Sequence, residues 1–267
     1  MLSSIPIRLL MAGLVVCFST TATAQRDVVL SKNIASLQVV AGNRWLSMPI
    51  INIKDGTPIN IHFDDLTHDY HRYVYKLQHC EADWSASEGI FDTDFCDGFA
   101  DGDVIDSYTK SVNTNSIYTH YELSIPNERC RLNMSGNYRL AVYDDNDKDT
   151  ILYAHFMVVD PFVKIEASVS SNTDIDANAT HQQVSGSVDF SGLRISNPEK
   201  ELTTIIMQNG VWSTARYNTK PQTVLSNKMI FSHNRELIFD GGNEYRKFEI
   251  LDVERPSMGV ESMYWDG

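Results

Sequence analysis

The sequence predicts an all-β chain of tandem β-sandwich domains, the first of them immunoglobulin/fibronectin-like. Two observations carry this. Apolar residues recur with period two over several stretches, which places one face of an antiparallel sheet on a core. Between these stretches lie clusters of Gly, Asn, Asp and Pro, and no sustained 3.6-residue apolar stripe is present.

Residues 36–40, 49–53 and 59–63 are short strand candidates, with the turn cluster Lys54-Asp55-Gly56-Thr57-Pro58 between the last two. In 72–79, Tyr73, Tyr75, Leu77 and His79 share one face and Val74, Lys76 and Gln78 the other. Tyr121, Leu123 and Ile125 alternate with Glu122 and Ser124. Ser135-Gly136-Asn137 forms a turn that leads into Tyr138, Leu140 and Val142, which alternate with Arg139 and Ala141. In immunoglobulin-like folds a Tyr at such a corner hydrogen-bonds back to the preceding chain. Asp144-Asp145-Asn146-Asp147 is a hairpin tip, followed by a strand over 152–159. Trp84, after the Tyr73-x-Tyr75-x-Leu77 strand, reads as a core or loop anchor.

Val159-Asp160-Pro161 closes the first domain, because proline cannot donate to a ladder. A second alternating set follows at once: Val163, Ile165, Ala167 and Val169, then Val184, Gly186, Val188 and Phe190. Strands over 203–207, 237–239 and 248–251 complete it. The domains are therefore expected at 25–160 and 161–267, joined stiffly by almost no linker. The second is expected to be incomplete, since the chain stops at Tyr264-Trp265-Asp266-Gly267 without a finished strand pattern.

Residues 1–24 read as a cleaved export signal. Arg8 precedes the apolar run Leu9–Phe18, and Ala22-Thr23-Ala24 supplies the small-x-small cleavage pattern. The run is shorter than the ~20 residues a membrane span needs. Lipidation at Cys17 is disfavoured by Val16, which stands where a small residue is required. The mature chain is therefore expected outside the cytoplasm, with no membrane insertion. A net charge of −13 over 267 residues argues against nucleic acid and anionic lipid as partners.

Three cysteines follow the signal: Cys80, Cys96 and Cys130. An odd number allows at most one internal disulfide. Cys80–Cys96 is a candidate in an oxidising compartment, and three buried thiols are the alternative. No C-x-x-C is present.

The search for chemistry finds no G-x-S-x-G, H-E-x-x-H, Walker loop or G-x-G-x-x-G. His62, His68, His71, His79 and His120 concentrate in the first domain, and His68 and His71 are close enough in sequence to share a metal. Histidines in strands are more often hydrogen-bonded structural groups, and they are read so here. The acids Asp92, Asp94, Asp97, Asp101, Asp103 and Asp106 suggest a calcium loop, as do Asp144, Asp145, Asp147 and Asp149. Read as an EF-hand from Asp144, however, position six is Asp149 and position twelve His155, where Gly and Glu are required. A solvated acidic loop is the simpler reading. No catalytic, cofactor-binding or metal-ligating residue is assigned.

An ordered set of motifs resembles the type IX secretion system plug protein family of Bacteroidota. It begins with Phe63-Asp64-Asp65-Leu66, Tyr73-x-Tyr75-x-Leu77-x-His79-Cys80-x-Ala82-Asp83-Trp84 and Gly98-Phe99. Asn113-Thr114, Tyr118-Thr119-His120-Tyr121-x-Leu123-x-Ile125-Pro126-Asn127-Glu128, Ser135-Gly136-Asn137-Tyr138-x-Leu140-x-Val142-Tyr143 and Phe156-Met157-Val158 continue it. His181-Gln182-Gln183-Val184, Gln208-Asn209 and Gly241-Gly242-Asn243-Glu244-Tyr245-Arg246 extend it across residues 36–250. Family members usually run longer. The resemblance implies a non-enzymatic periplasmic protein of consecutive β-sandwiches. Its partner would be the outer-membrane type IX translocon β-barrel, whose periplasmic mouth it blocks when no substrate is engaged. It also implies that Tyr73, Tyr75, Trp84 and Tyr138 are core residues, and that His79, Asp83 and His120 are buried polar groups serving loop backbone. Two other classes are consistent with the residues. A periplasmic carbohydrate-binding module requires Trp45, Trp212 or Trp265 to be exposed together. An accessory domain of a larger exported enzyme requires catalytic sequence beyond Gly267.

Overall fold

The computed structural model describes residues 27–242, Arg255 and Tyr264. The expected leader at 1–24, the strand at 248–251 and Trp265 lie outside the described residues. The chain divides into two compact units, Met1–Asp160 and Pro161–Gly267. Both are β-rich, and the chain is all-β with tandem sandwich units. Among the described residues no helix is long and apolar enough to cross a membrane.

The first unit holds β1 (Val28–Val29), β2 (Ile34–Ala41), β3 (Ile50–Asn52), β4 (Ile59–Asp65), β5 (Tyr73–Cys80) and β6 (Cys96–Gly98). β7 (Asp101–Val104), β8 (Ser107–Lys110), β9 (Thr119–Ile125), β10 (Cys130–Leu132), β11 (Gly136–Asp144) and β12 (Thr150–Val159) follow. One sheet runs β1-β12-β11-β5-β7, and β3 joins it through β12; a second runs β2-β4-β9-β8. β6 and β10 form a separate two-stranded ribbon.

The period-two reading explains why these strands form. In β4, Ile59, Ile61, Phe63 and Asp65 are buried while the residues between them are not; β9 repeats this with Thr119, Tyr121, Leu123 and Ile125. Tyr138, Leu140 and Val142 of β11 meet Tyr75 and Leu77 of β5 and Phe156 of β12 in one core. Aromatic pairs reinforce it: Phe63 stacks on Tyr121 at 5.2 Å and Tyr138 on Phe156 at 5.4 Å.

Several expectations are corrected. β3 pairs with β12 in parallel, a direction the short candidate at 49–53 did not announce. Register between distant strands is a property of chain path and leaves no local trace. Within the first acidic stretch a one-turn helix α1 (Asp92–Phe95) forms, where only loop was expected; the Asp94 carboxylate accepts from the Phe91 N–H at 2.8 Å and closes the turn. Trp84 is half-buried and lies outside the core; it sits in the turn after β5 with φ +67°, its ring edge-on to His155 at 5.5 Å.

Gly136 is the one residue type that fits its place. Its φ is +154°, and a Cβ there would lie 2.2 Å from His79 Nε2; the turn expected at 135–137 is absent, and Gly136 is already the first residue of β11, paired with Val158.

The second unit contains β13 (Lys164–Ser170), β14 (His181–Asp189), α2 (Pro198–Glu201), β15 (Ile205–Ile206), β16 (Arg216–Tyr217), β17 (Thr223–Val224), β18 (Lys228–Phe231) and β19 (Ile238–Asp240). Its main sheet is β13-β14-β18-β17, with β19 on β14. Phe190, Met229, Phe231 and Leu237 make its core. The expected strand at 203–207 shrinks to two residues, and β18 went unrecognised although it supplies Met229 and Phe231. β13 was expected to lay Ile165 and Val169 on a core. Instead they are 73% and 62% exposed, and among the described residues β13 stands at the edge of its sheet.

Candidate functional site

The outer face of the β4–β9 pair gathers the first unit's most concentrated set of ligand-type side chains. Alternation turns His62 and Asp64 of β4 outward, and His120 and Glu122 of β9 likewise. The antiparallel register then sets His62 opposite Glu122 and Asp64 opposite His120. Four residues from two H-x-acid steps therefore form a square.

The contacts within that square are short. His120 Nδ1 donates to Asp64 Oδ1 at 2.7 Å, since a carboxylate only accepts. Its other nitrogen, Nε2, lies 3.4 Å from Glu122 Oε1, and His62 Nδ1 lies 3.7 Å from the same oxygen. The two imidazoles stack at 5.6 Å, and Trp45, from the β2–β3 loop, stacks on His62 at 5.7 Å. Burial pushes the His62 imidazole below its ordinary value, against the pull of Glu122. Among the described residues, His62, His120 and Glu122 are the group whose ligand atoms all lie within 4.8 Å of one another.

The two histidines singled out for a shared metal are arranged differently. His71 is held between carboxylates: its Nδ1 is 3.1 Å from Asp144 Oδ2 and its Nε2 3.7 Å from Asp65 Oδ2. Asp65 is fully buried and accepts from Tyr73 Oη at 2.9 Å and from the Thr67 N–H and Oγ1. Thr67 Oγ1 also lies 3.3 Å from His71 Nε2, so a Thr-His-Asp line exists. The Thr67 hydroxyl donates to Asp65 at 2.8 Å, which directs its proton away from the imidazole. This network ties the end of β4 to the β11–β12 tip.

The acidic stretches are similarly committed. Asp101 pairs with Lys76 at 2.8 Å, Asp103 with Arg129 at 2.9 Å, and Asp145 with Arg72 and Lys148. Asp144 Oδ1 accepts from Asn146, and Asp147 from the Asp149 N–H, in turns that use the carboxylates as backbone acceptors.

Of the two cysteine readings, the structure has the three buried thiols. Cys80, Cys96 and Cys130 are free and buried, and the neighbours are Cys96 and Cys130, with Sγ atoms 2.8 Å apart across the β6–β10 ribbon. The thiol next to Cys96 is therefore Cys130, while the Cys80 Sγ lies 3.8 Å from the Gln78 carbonyl.

His79 is buried, and its Nε2 donates to the Ser135 carbonyl at 3.2 Å, as a residue serving loop backbone. Asp83 is exposed and bonds only locally to Ser85. His120 faces Asp64 instead of loop backbone. Tyr73, Tyr75 and Tyr138 are core residues. Trp45 is 58% exposed in the first unit, whereas Trp212 is half-buried in the second.

A family model described as the Type 9 secretion system plug protein 1st domain matches residues 34–160, which are the first unit from β2 onward. The chain is similar to the crystal structure of a hypothetical protein from Parabacteroides merdae ATCC 43184, with a TM-score of 0.81 and 38% identity over 90% of this chain and 60% of that one. It thus spans about 60% of the length of that solved relative. No curated protein matches the sequence. Residues 34–160 of this chain thus form a domain of the Type 9 secretion system plug protein 1st domain family.

Proposed function

We propose that this chain is a non-enzymatic periplasmic component of the type IX secretion system. It blocks the periplasmic opening of the outer-membrane translocon β-barrel when no substrate is engaged. Residues 1–24 direct export and are removed. Residues 25–160 form an immunoglobulin-like plug domain and 161–267 a second β-domain.

The observation that carries this reading is the match of residues 34–160 to the plug first domain. The physics of unit 1 supports it. A plug requires a body that does not deform, and two sheets joined by stacked Tyr, Phe and Ile side chains in one continuous core resist deformation. The Tyr138 hydroxyl donating to the Met134 carbonyl at 2.7 Å supports the immunoglobulin-like description, since it is the tyrosine-corner bond. A releasable contact needs a modest interface with a polar rim.

The test is affinity capture of the full-length tagged chain from membranes of its own organism. Recovery of the outer-membrane translocon, diminished when the pore is loaded with substrate, is the expected result. A chain recovered free in the periplasm, with the translocon absent at every loading, overturns the reading.

A further inference from the structure

We propose that His62, His120 and Glu122 form a binding site for a divalent transition metal of the zinc class on the outer face of the β4–β9 sheet. Nothing in the plug reading requires or assigns this site, and it stands independently of that reading.

The donor set is two imidazoles and one carboxylate, which suits zinc-class ions over calcium or magnesium. Zinc–nitrogen and zinc–oxygen bonds of about 2.0–2.1 Å at tetrahedral angles place neighbouring ligand atoms about 3.3 Å apart. The separations to Glu122 Oε1, 3.4 Å from His120 Nε2 and 3.7 Å from His62 Nδ1, lie within a few tenths of an ångström of that value. Three protein ligands leave the fourth position for water or a partner's side chain.

A second, independent feature is the support behind the ligands. Asp64 accepts the Nδ1 proton of His120, which fixes the tautomer and leaves the Nε2 lone pair toward Glu122. Carboxylate–histidine–metal relays have this form. Trp45 packs on His62 and restricts its ring. The ligands sit on paired strands of a core sheet, so their spacing is held by the ladder and not by a loop. Glu122 stays half in solvent, which gives an ion its approach.

The competing account is a ladder of histidine–carboxylate pairs with no ion. The two accounts differ in stoichiometric metal binding. The experiment uses the full chain without a polyhistidine tag, stripped with chelator, and titrated with Zn²⁺ by calorimetry and with Co²⁺ by visible absorption. One equivalent of Zn²⁺ and the intense d–d bands of tetrahedral Co²⁺ are expected. Glu122→Gln and His62→Ala should each weaken binding at least tenfold. Asp64→Asn acts through His120 as a positioning change and should weaken it by about 10–100-fold. Glu122 is surface-exposed, so E122Q keeps the fold, and an unchanged melting curve for it verifies this. Absence of heat and of cobalt bands with wild-type chain at 100-fold excess metal over protein overturns the proposal. So does undiminished binding by an H62A/E122Q double variant.

Discussion

The Tyr138 hydroxyl donates to the Met134 carbonyl at 2.7 Å, four residues earlier in the chain, and thereby pins the bend before β11 to the sandwich core. Tyr138 itself is fully buried between His79, Phe95 and Phe156. Tyr138→Phe keeps the ring contacts and leaves the carbonyl without its donor. The expected loss is about 1–2 kcal/mol, read from urea unfolding. An unchanged midpoint shows that the corner bond contributes nothing to stability.

Trp84 was expected to behave as a core residue, with about 3–5 kcal/mol lost on truncation. Its half-buried position outside the core lowers this to about 1–2 kcal/mol for Trp84→Ala. Its φ of +67° adds a second expectation. Trp84→Gly should be less destabilising than Trp84→Ala by about 0.5–1 kcal/mol, since glycine occupies that region without strain. Thermal melts of the two variants decide it, and the reverse order refutes the backbone argument.

Cys96 and Cys130 should form the disulfide that this fold admits. Exchange with an oxidant disulfide transfers two electrons and two protons to the oxidant as the Cys96–Cys130 bond forms. Non-reducing peptide mapping should find these two joined and Cys80 free. Closing a loop of this length should raise stability by roughly 3–4 kcal/mol relative to the reduced chain. A Cys80–Cys96 linkage in folded protein contradicts the geometry.

Alkaline pH should unfold the first unit. Burial, followed by the neighbouring Asp65 charge, pushes the Tyr73 phenol far up, and burial pushes Tyr75 and Tyr138 up as well. Tyr121 rises to about 12, also mainly through burial. A folded value above the unfolded ~10 means that the stabilisation is complete below pH ~10. It is lost as pH rises toward the folded values. Phenolate absorbance at 295 nm should therefore show a delayed class of tyrosines that ionises together with loss of circular dichroism. Ionisation of every tyrosine near pH 10 with the fold intact refutes this.

Much of the first unit is legible in the sequence because period two is a local signal. The inward faces of β4, β5, β9 and β11 follow from alternation alone, and Tyr138 from its place after Ser135-Gly136-Asn137. The second unit is less legible. Its core-forming strand β18, Lys-Met-Ile-Phe, is four residues long, too short for periodicity to stand out. β13 alternates well yet remains exposed, because alternation marks a face that can be covered without saying that anything covers it.

The candidate metal site shows the same division. Each strand carries an H-x-acid step, His62-x-Asp64 and His120-x-Glu122, and a period of two sends all four outward. Nothing local pairs β4 with β9, which lie more than 50 residues apart in the chain. His68 and His71 therefore drew attention through mere closeness, while the folded chain gives His71 to Asp65 and Asp144.

The sequence by itself determined the all-β class, the inward faces of the long strands and the acidic character that disfavours nucleic acid. It also carried the ordered motifs of the plug family, because each is a matter of residue type and short-range spacing. Only the tertiary structure decided that Cys130 and not Cys80 adjoins Cys96, that β3 runs parallel to β12, and that His62 faces Glu122. Those relationships are set by strand register between segments remote in the chain, and register is fixed by the packing of the whole sheet rather than by any stretch of it.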